Sequence, residues 1–246
     1  MIIQGVPEIE AGWALFLDLD GTLLDIAPSP DAVRVPPGLI ATLGLLTHRL
    51  DGALAIVSGR ARETVDRLLA PLLPAGGFGH GAELRDSAGR AIPAGDVPRP
   101  PPHWHAALAR FAAAHPGLLL EAKPHGLALH YRAVPAARDA VRAAMLALLA
   151  GEATGFDLLP AHMAFEIRPR VATKGRAVEA LMGTRPFAGR RPVFVGDDVT
   201  DEDGMAAARA MGGLGLHVGR DFSGGPAAVR AWLAGGTGKG GRDAGA

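Results

Sequence analysis

The stretch Ala14-Leu15-Phe16-Leu17-Asp18-Leu19-Asp20-Gly21-Thr22 decides how the chain is read. Four apolar residues run unbroken into two carboxylates, two residues apart, and then a glycine. An apolar run of this length reads as a strand buried on both faces, as in a parallel sheet. Its carboxyl end would present Asp18 and Asp20. Outward from it, residues 36–50 read as a helix, with Leu39, Leu43 and Leu46 near helical spacing. Leu54-Ala55-Ile56-Val57 is a second apolar run and ends at Ser58-Gly59-Arg60, with a helix over about 61–69 after it. Far along the chain the pattern returns. A helix over 173–182 leads to a strand over 192–195 that ends at Gly196-Asp197-Asp198. A helix over 201–211, a strand over 214–218 and a helix over 226–233 complete it. Strands alternating with helices predict an α/β core with a parallel sheet. Such sheets bind ligands beyond the carboxyl ends of their strands. Three predicted ends carry polar clusters, at Asp18, Ser58 and Asp197.

Between these halves the pattern changes. Pro98-Arg99-Pro100-Pro101-Pro102 fits neither a helix interior nor a central strand and reads as a boundary. Beyond it the order is helix, two strands, helix, two strands, with strands over 118–123, 127–132, 156–160 and 163–168. Leu127, Leu129 and Tyr131 fall at every second position, as do Met163, Phe165 and Ile167. That predicts an antiparallel sheet with helices on one face and Glu121, Lys123, His130, Arg132, Glu166 and Arg168 on the other. The expected organisation is a core over 1–100 and 170–234, an α+β insert over 101–169, and a disordered glycine-rich tail over 235–246.

The 246 residues hold 25 basic and 25 acidic side chains, a formal net charge of zero. A bulk nucleic-acid or anionic-membrane binder would carry a basic excess. There is no cysteine, so disulfides, thiolate metal sites and a cysteine nucleophile are excluded. Neither a signal peptide nor an apolar run of membrane-spanning length is visible, so a cytoplasmic protein is expected.

Two carboxylates two residues apart at a strand end can divide the roles of nucleophile and general acid–base, although Asp and Gly are also common in strand-end turns. Gly21 permits a tight turn with backbone N–H groups toward an anion. Ser58-Gly59-Arg60 reads as an anion site at a helix start or as an ordinary N-cap. Lys174 stands at a predicted helix N-terminus, where the dipole disfavours a cation, so it is either solvated or answers a nearby anionic cluster. Asp197, Asp198, Asp201 and Glu202 fall within seven residues. They are either an acidic helix start or an all-oxygen site for a hard cation such as Mg2+.

Taken in order, Asp-x-Asp-Gly-Thr, Ser-Gly-Arg, Lys-Gly and Gly-Asp-Asp-x-Thr-Asp-Glu resemble the haloacid dehalogenase-like (HAD) phosphatases. The insert's position matches the second (C2) cap type of that superfamily. Gly79-His80-Gly81-Ala82-Glu83, Glu121-Ala122-Lys123 with His130-Tyr131-Arg132, and Phe165-Glu166-Ile167-Arg168-Pro169 resemble the trehalose-phosphatase family. The resemblance implies a HAD-like Rossmannoid core with an α+β cap and a Mg2+-dependent phosphatase acting on trehalose 6-phosphate. In its terms Asp18 is the nucleophile and Asp20 the acid–base, while Ser58 and Lys174 hold the phosphoryl group. Mg2+ is bound by Asp18, the Asp20 carbonyl and Asp197, with Asp198 nearby through water. Substrate contacts fall to Gly21, Thr22, Gly59, Arg60, His80, Glu83, Glu121, Lys123, Arg132 and Glu166. A cap that closes over the core and a trehalose-phosphate synthase as pathway partner are also implied. The rivals are a phosphatase for sucrose phosphate or glucosylglycerate phosphate, a phosphomutase, and a catalytically silent sugar-phosphate-binding module.

Overall fold

The computed structural model describes residues 5–27, 32–152, 155–161 and 163–238. In chain order the first elements are β1 (Trp13–Leu17), α1 (Leu39–Arg49), β2 (Leu54–Val57), α2 (Arg62–Leu69), β3 (Ala75–Phe78), β4 (Glu83–Arg85) and β5 (Ala91–Ile92). Then come α3 (Pro102–Ala114), β6 (Leu119–Lys123), β7 (Gly126–His130), α4 (Arg138–Glu152), β8 (Phe156–Ala161) and β9 (Ala164–Pro169). The last are α5 (Lys174–Met182), β10 (Arg191–Gly196), α6 (Val199–Ala210), β11 (Leu214–His217), α7 (Val218–Asp221) and α8 (Gly225–Gly236).

The chain divides into two compact units. One joins Met1–Pro93 to Thr173–Ala246, and the other is Ala94–Ala172. The insert thus begins earlier and ends later than 101–169. Pro98 belongs with it because its carbonyl lies 3.2 Å from His125 Nδ1. Ala172 belongs with it because its carbonyl accepts from Arg168 Nη1.

The first unit is built on a seven-stranded sheet in the order β11-β10-β1-β2-β3-β4-β5. β11, β10, β1, β2 and β3 run parallel, and β4 and β5 antiparallel. Every residue of β1 and β2 is buried, which is why these strands read as unbroken apolar runs. Register does the rest. Leu17 sits beside Ile56 on one side and Val195 on the other, so Asp18, Ser58 and Asp197 leave the sheet at one edge.

The strand β3 carries no apolar periodicity, and sequence patterning misses it together with β4 and β5. Its sequence Ala75-Gly76-Gly77-Phe78 is shaped by its neighbours. A Cβ on Gly76 would lie 2.2 Å from the Ile56 carbonyl oxygen, and one on Gly77 2.5 Å from Ala177 Cβ. Close packing of helix on sheet here selects glycine over the β-branched residues that mark a strand. Helix α8 also runs past its predicted end and takes in Gly235 and Gly236, the first two residues of the expected tail. Gly236 is buried against Ile9. The rest of that tail, from residue 239, lies outside the described residues.

The second unit is a four-stranded antiparallel sheet, β6-β7-β9-β8. One face packs Leu127, Leu129, Phe165 and Ile167 on Trp104, Leu108, Val141 and Met145 of α3 and α4. The register pairs Glu121 with Ala128 and Ala128 with Glu166, and so gathers Glu121, Lys123, Glu166 and Arg168 on the opposite face.

Candidate active site

At the carboxyl edge of the first sheet, Lys174 Nζ donates to Asp18 Oδ1 and to Asp201 Oδ1, both at 2.6 Å. Asp18, Lys174 and Asp201 are all buried. Lys174 is the first residue of α5, whose N-cap Thr173 accepts from Arg176 N through its hydroxyl. The dipole cost of a lysine there is offset by two carboxylates, 156 and 27 residues away in the chain. Burial works against the ammonium, but Asp18 and Asp201 outweigh it and hold the Lys174 pKa well above its ordinary value.

Asp197 completes the cluster. Ligand oxygens of Asp18, Asp197 and Asp201 lie within 4.8 Å of one another. Thr22, fully buried, donates to Asp197 Oδ1 at 3.2 Å. Gly21 has φ +80°, and a Cβ there would fall 2.1 Å from Asp197 Oδ2. The Asp-Gly-Thr turn therefore seats the Asp197 carboxylate with a glycine below and a hydroxyl beside it. Burial and Asp201 push the Asp197 pKa from 3.8 up to about 6. Burial and the same neighbour push Asp18 well above its usual range, against the pull of Lys174. Three carboxylates thus share one ammonium in a poorly hydrated place, an excess of two negative charges. An all-oxygen donor set with this imbalance fits a hard divalent cation.

Two expected site residues have other partners in this structure. Asp198 is not part of the cluster. It is exposed and caps α6, and its Oδ1 accepts from Thr200 N at 2.6 Å and from Thr200 Oγ1 at 2.7 Å. The third carboxylate of the cluster is that of Asp201, with Oδ2 accepting from Asp197 N and Asp198 N, both at 3.1 Å. This is a capping box, and the Asp198-Val199-Thr200-Asp201 spacing carries its signature. It also starts α6 two residues before the predicted position. Thr22, expected to touch substrate, donates its hydroxyl to Asp197.

The side chain of Asp20 lies apart from the cluster on Arg60, whose Nε and Nη2 donate to Oδ2 at 2.5 Å and to Oδ1 at 2.8 Å. Ser58 is buried at the end of β2, and its Oγ accepts from Arg60 N at 3.1 Å. His80, at φ 60°, donates its N–H to the Ser58 carbonyl at 2.9 Å, so the Gly79–Gly81 turn backs the Ser58 turn. Glu83 Oε2 accepts from Arg62 Nε at 3.3 Å, out on β4.

The second unit holds its own polar group. Lys123 Nζ donates to Glu166 Oε2 at 2.8 Å, and these side chains are only 10% and 9% exposed. His130 Nε2 lies 2.9 Å from Glu121 Oε2, and this contact lowers the Glu121 pKa. Sequence reasoning left His130 without a role, although its register against Leu119 puts it two residues along the ladder from Glu121. Arg132 lies past the end of β7, in the turn that follows it. No helix among the described residues is long and apolar enough to cross a membrane.

This geometry finds its counterpart in known proteins. The family model for trehalose-phosphatase matches residues 16–225. A probable trehalose-phosphate phosphatase of Sinorhizobium fredii is 44% identical over 84% of this chain and 78% of its own. The trehalose-6-phosphate phosphatase of Escherichia coli is 40% identical over 87% of this chain and 80% of its own. In fold, the chain is similar to the C-terminal domain of the Candida albicans trehalose-6-phosphate phosphatase, at TM-score 0.75 and 19% identity, over 92% of each chain. With matched residues that reach from β1 to α8, and relatives at this identity over most of their length, the chain belongs to the trehalose-phosphatase family of phosphoric monoester hydrolases.

Proposed function

We propose that this enzyme hydrolyses trehalose 6-phosphate to trehalose and inorganic phosphate with Mg2+ as its cofactor, through a phosphoryl group carried on Asp18. The observation that carries the reading is the Asp18–Lys174–Asp201 arrangement with Asp197 beside it. Lys174 fixes Asp18 Oδ1 and orients the carboxylate. In the first step an Asp18 oxygen forms a bond to phosphorus as the bond to the sugar oxygen breaks, and Asp20 gives that oxygen a proton. In the second step Asp20 takes a proton from water. The water oxygen bonds phosphorus, the bond to Asp18 breaks, and phosphate leaves. Ser58 and Lys174 hold phosphoryl oxygens, at a helix start and beside an ammonium respectively. Asp18, Asp197 and the Asp20 carbonyl would hold Mg2+, with Asp201 keeping Asp197 and Lys174 in place through its three hydrogen bonds. The metal supplies positive charge that lets a phosphate dianion approach three carboxylates.

Sugar recognition is assigned to Glu121, Lys123 and Glu166, whose hydrogen-bonding groups sit on the face of their sheet opposite α3 and α4. The reading also takes the protein as cytoplasmic and places it after a trehalose-phosphate synthase. The test is a panel of trehalose 6-phosphate, sucrose phosphate, glucosylglycerate phosphate and glucose 6-phosphate, with released phosphate measured in Mg2+. Preference for trehalose 6-phosphate by tenfold or more in kcat/KM is expected. Preference for another member replaces the substrate and keeps the chemistry, and no turnover of any of them removes both.

A further inference from the structure

Asp20 has to face the leaving oxygen to do the work assigned to it, yet both of its oxygens are gripped. The Arg60 guanidinium holds them in a fork at 2.5 and 2.8 Å, which fixes both the plane and the direction of the carboxylate. The clamp is itself well mounted. The Arg60 N–H is on Ser58 Oγ at 3.1 Å, and the Arg60 carbonyl accepts from Gly79 N at 2.8 Å. Its side chain is 14% exposed while that of Asp20 is 35% exposed, so the cation is packed and the carboxylate looks outward. The residue is thus anchored in the same turn that presents Ser58, where the phosphoryl group is expected. A carboxyl group that passes a proton needs one oxygen within about 2.6–3.2 Å of its partner. In the fork seen here each oxygen spends one lone pair on the guanidinium, so a proton can pass only on the side of the carboxylate that Arg60 leaves open.

We propose that Arg60 is a positioning residue that acts through Asp20: it fixes the plane of the carboxylate before substrate arrives and turns the open lone pairs of its oxygens toward the leaving oxygen. The inference rests on the assignment of Asp20 as acid–base. The guanidinium gains and loses no proton. It keeps its hydrogen bonds to Asp20, and the proton passes from Asp20 to the leaving oxygen.

The test uses two leaving groups. Trehalose 6-phosphate departs as an alcohol and needs a proton, whereas 2,4-dinitrophenyl phosphate departs as a stable phenolate and needs none. kcat/KM is measured on both for wild type, Arg60→Gln, Arg60→Lys, Asp20→Asn and the double variant Arg60→Gln with Asp20→Asn, with thermal melting as the check on folding. Arg60→Gln should lose about 10–100-fold more on the sugar phosphate than on the aryl phosphate. Arg60→Lys keeps the charge without the fork and should recover little of that difference. In the Asp20→Asn background the selective part of the Arg60→Gln loss should vanish, because the two residues act as one unit. Equal losses on both substrates, restored by lysine, would overturn the proposal and leave Arg60 as a phosphate ligand only. A selective loss that persists without the Asp20 carboxylate would also overturn it. Should Arg60→Gln fail to fold, the Arg60→Lys pattern on the two substrates decides alone. If Asp20→Asn itself loses equally on both substrates, the acid–base assignment fails and takes the inference with it, an outcome distinct from the other two.

Discussion

Two polar groups among the described residues differ in how their side chains are paired. At the sheet edge of the first unit, Asp18, Asp197 and Asp201 share the single ammonium of Lys174. On the sheet of the second unit, Lys123 forms an ion pair with Glu166, and Glu121 shares a hydrogen bond with His130. An unbalanced, buried cluster is costly unless something arrives to neutralise it, which suits a site that takes a metal and moves a phosphoryl group. A set paired side chain to side chain can trade a hydrogen bond for one to a neutral hydroxyl. The first arrangement suits chemistry and the second suits recognition, and substitutions in each should fail differently.

The largest effect is expected at the centre of the unbalanced group. Asp18→Asn keeps the shape of the nucleophile and loses its charge. Phosphate release in Mg2+ should fall by about a thousandfold or more, as when a covalent nucleophile is removed. Apo stability, followed by urea unfolding in EDTA, should hold or rise, since one buried like charge is gone. Residual turnover above about a tenth of wild type would take Asp18 out of the role.

Lys174→Met strikes the same group from its cationic side. Removing one partner of a buried ion pair costs about 3–5 kcal/mol, because the other charge stays buried and unpaired. Urea unfolding in EDTA should register that loss, and millimolar Mg2+ should return part of it by binding the exposed imbalance. Lys123→Met in the second unit leaves only Glu166 unmatched, so it should cost less and gain nothing from Mg2+. Equal metal response in the two variants would erase the contrast between the groups.

The recognition face predicts a selective loss. Withdrawing one charge-assisted hydrogen bond costs roughly 1.5–3 kcal/mol, or about 10–150-fold in kcat/KM. Lys123→Ala, Glu121→Ala and Glu166→Ala should each lose about that on trehalose 6-phosphate and little on p-nitrophenyl phosphate, which offers no sugar hydroxyls. Parallel losses on both substrates would give these residues a structural role instead.

Most of this was legible in the sequence where local signals and burial agree. The runs that became β1 and β2 are wholly buried, so their composition announces them, and the turn residues after them carry the motifs. The alternation in β7 and β9 was legible for the same reason. What escaped was set by contacts at long range. β3 is a strand because Ile56 and Ala177 leave no room for side chains on Gly76 and Gly77, a constraint no local pattern carries. The place of Asp201, and not Asp198, in the carboxylate cluster follows from a capping box that turns the first in and the second outward. The pairing of Asp20 with Arg60 joins residues 40 apart, and neither motif alone foretells it.

The smallest effect concerns the proton on Asp197 and sharpens the comparison most finely. Its folded pKa is raised from 3.8 to about 6, chiefly by burial and by Asp201. The folded state therefore binds this proton more tightly than the unfolded chain does. The stability it contributes is full below about pH 3.8 and is lost as pH rises through about 6. A shift of this size on a half-buried group, discounted for solvent screening, amounts to about 1–2 kcal/mol. Asp197→Asn carries no such proton. In EDTA the variant should gain on wild type by about that amount between pH 4 and pH 7, measured as the difference in unfolding free energy. With saturating Mg2+ at pH 7 the order should reverse, because wild type alone keeps the ligand and the metal stabilises whatever binds it. A difference that stays flat with pH in EDTA would mean that Asp197 titrates alike in the folded and unfolded chain, and the imbalance assigned to this cluster would lose its clearest sign.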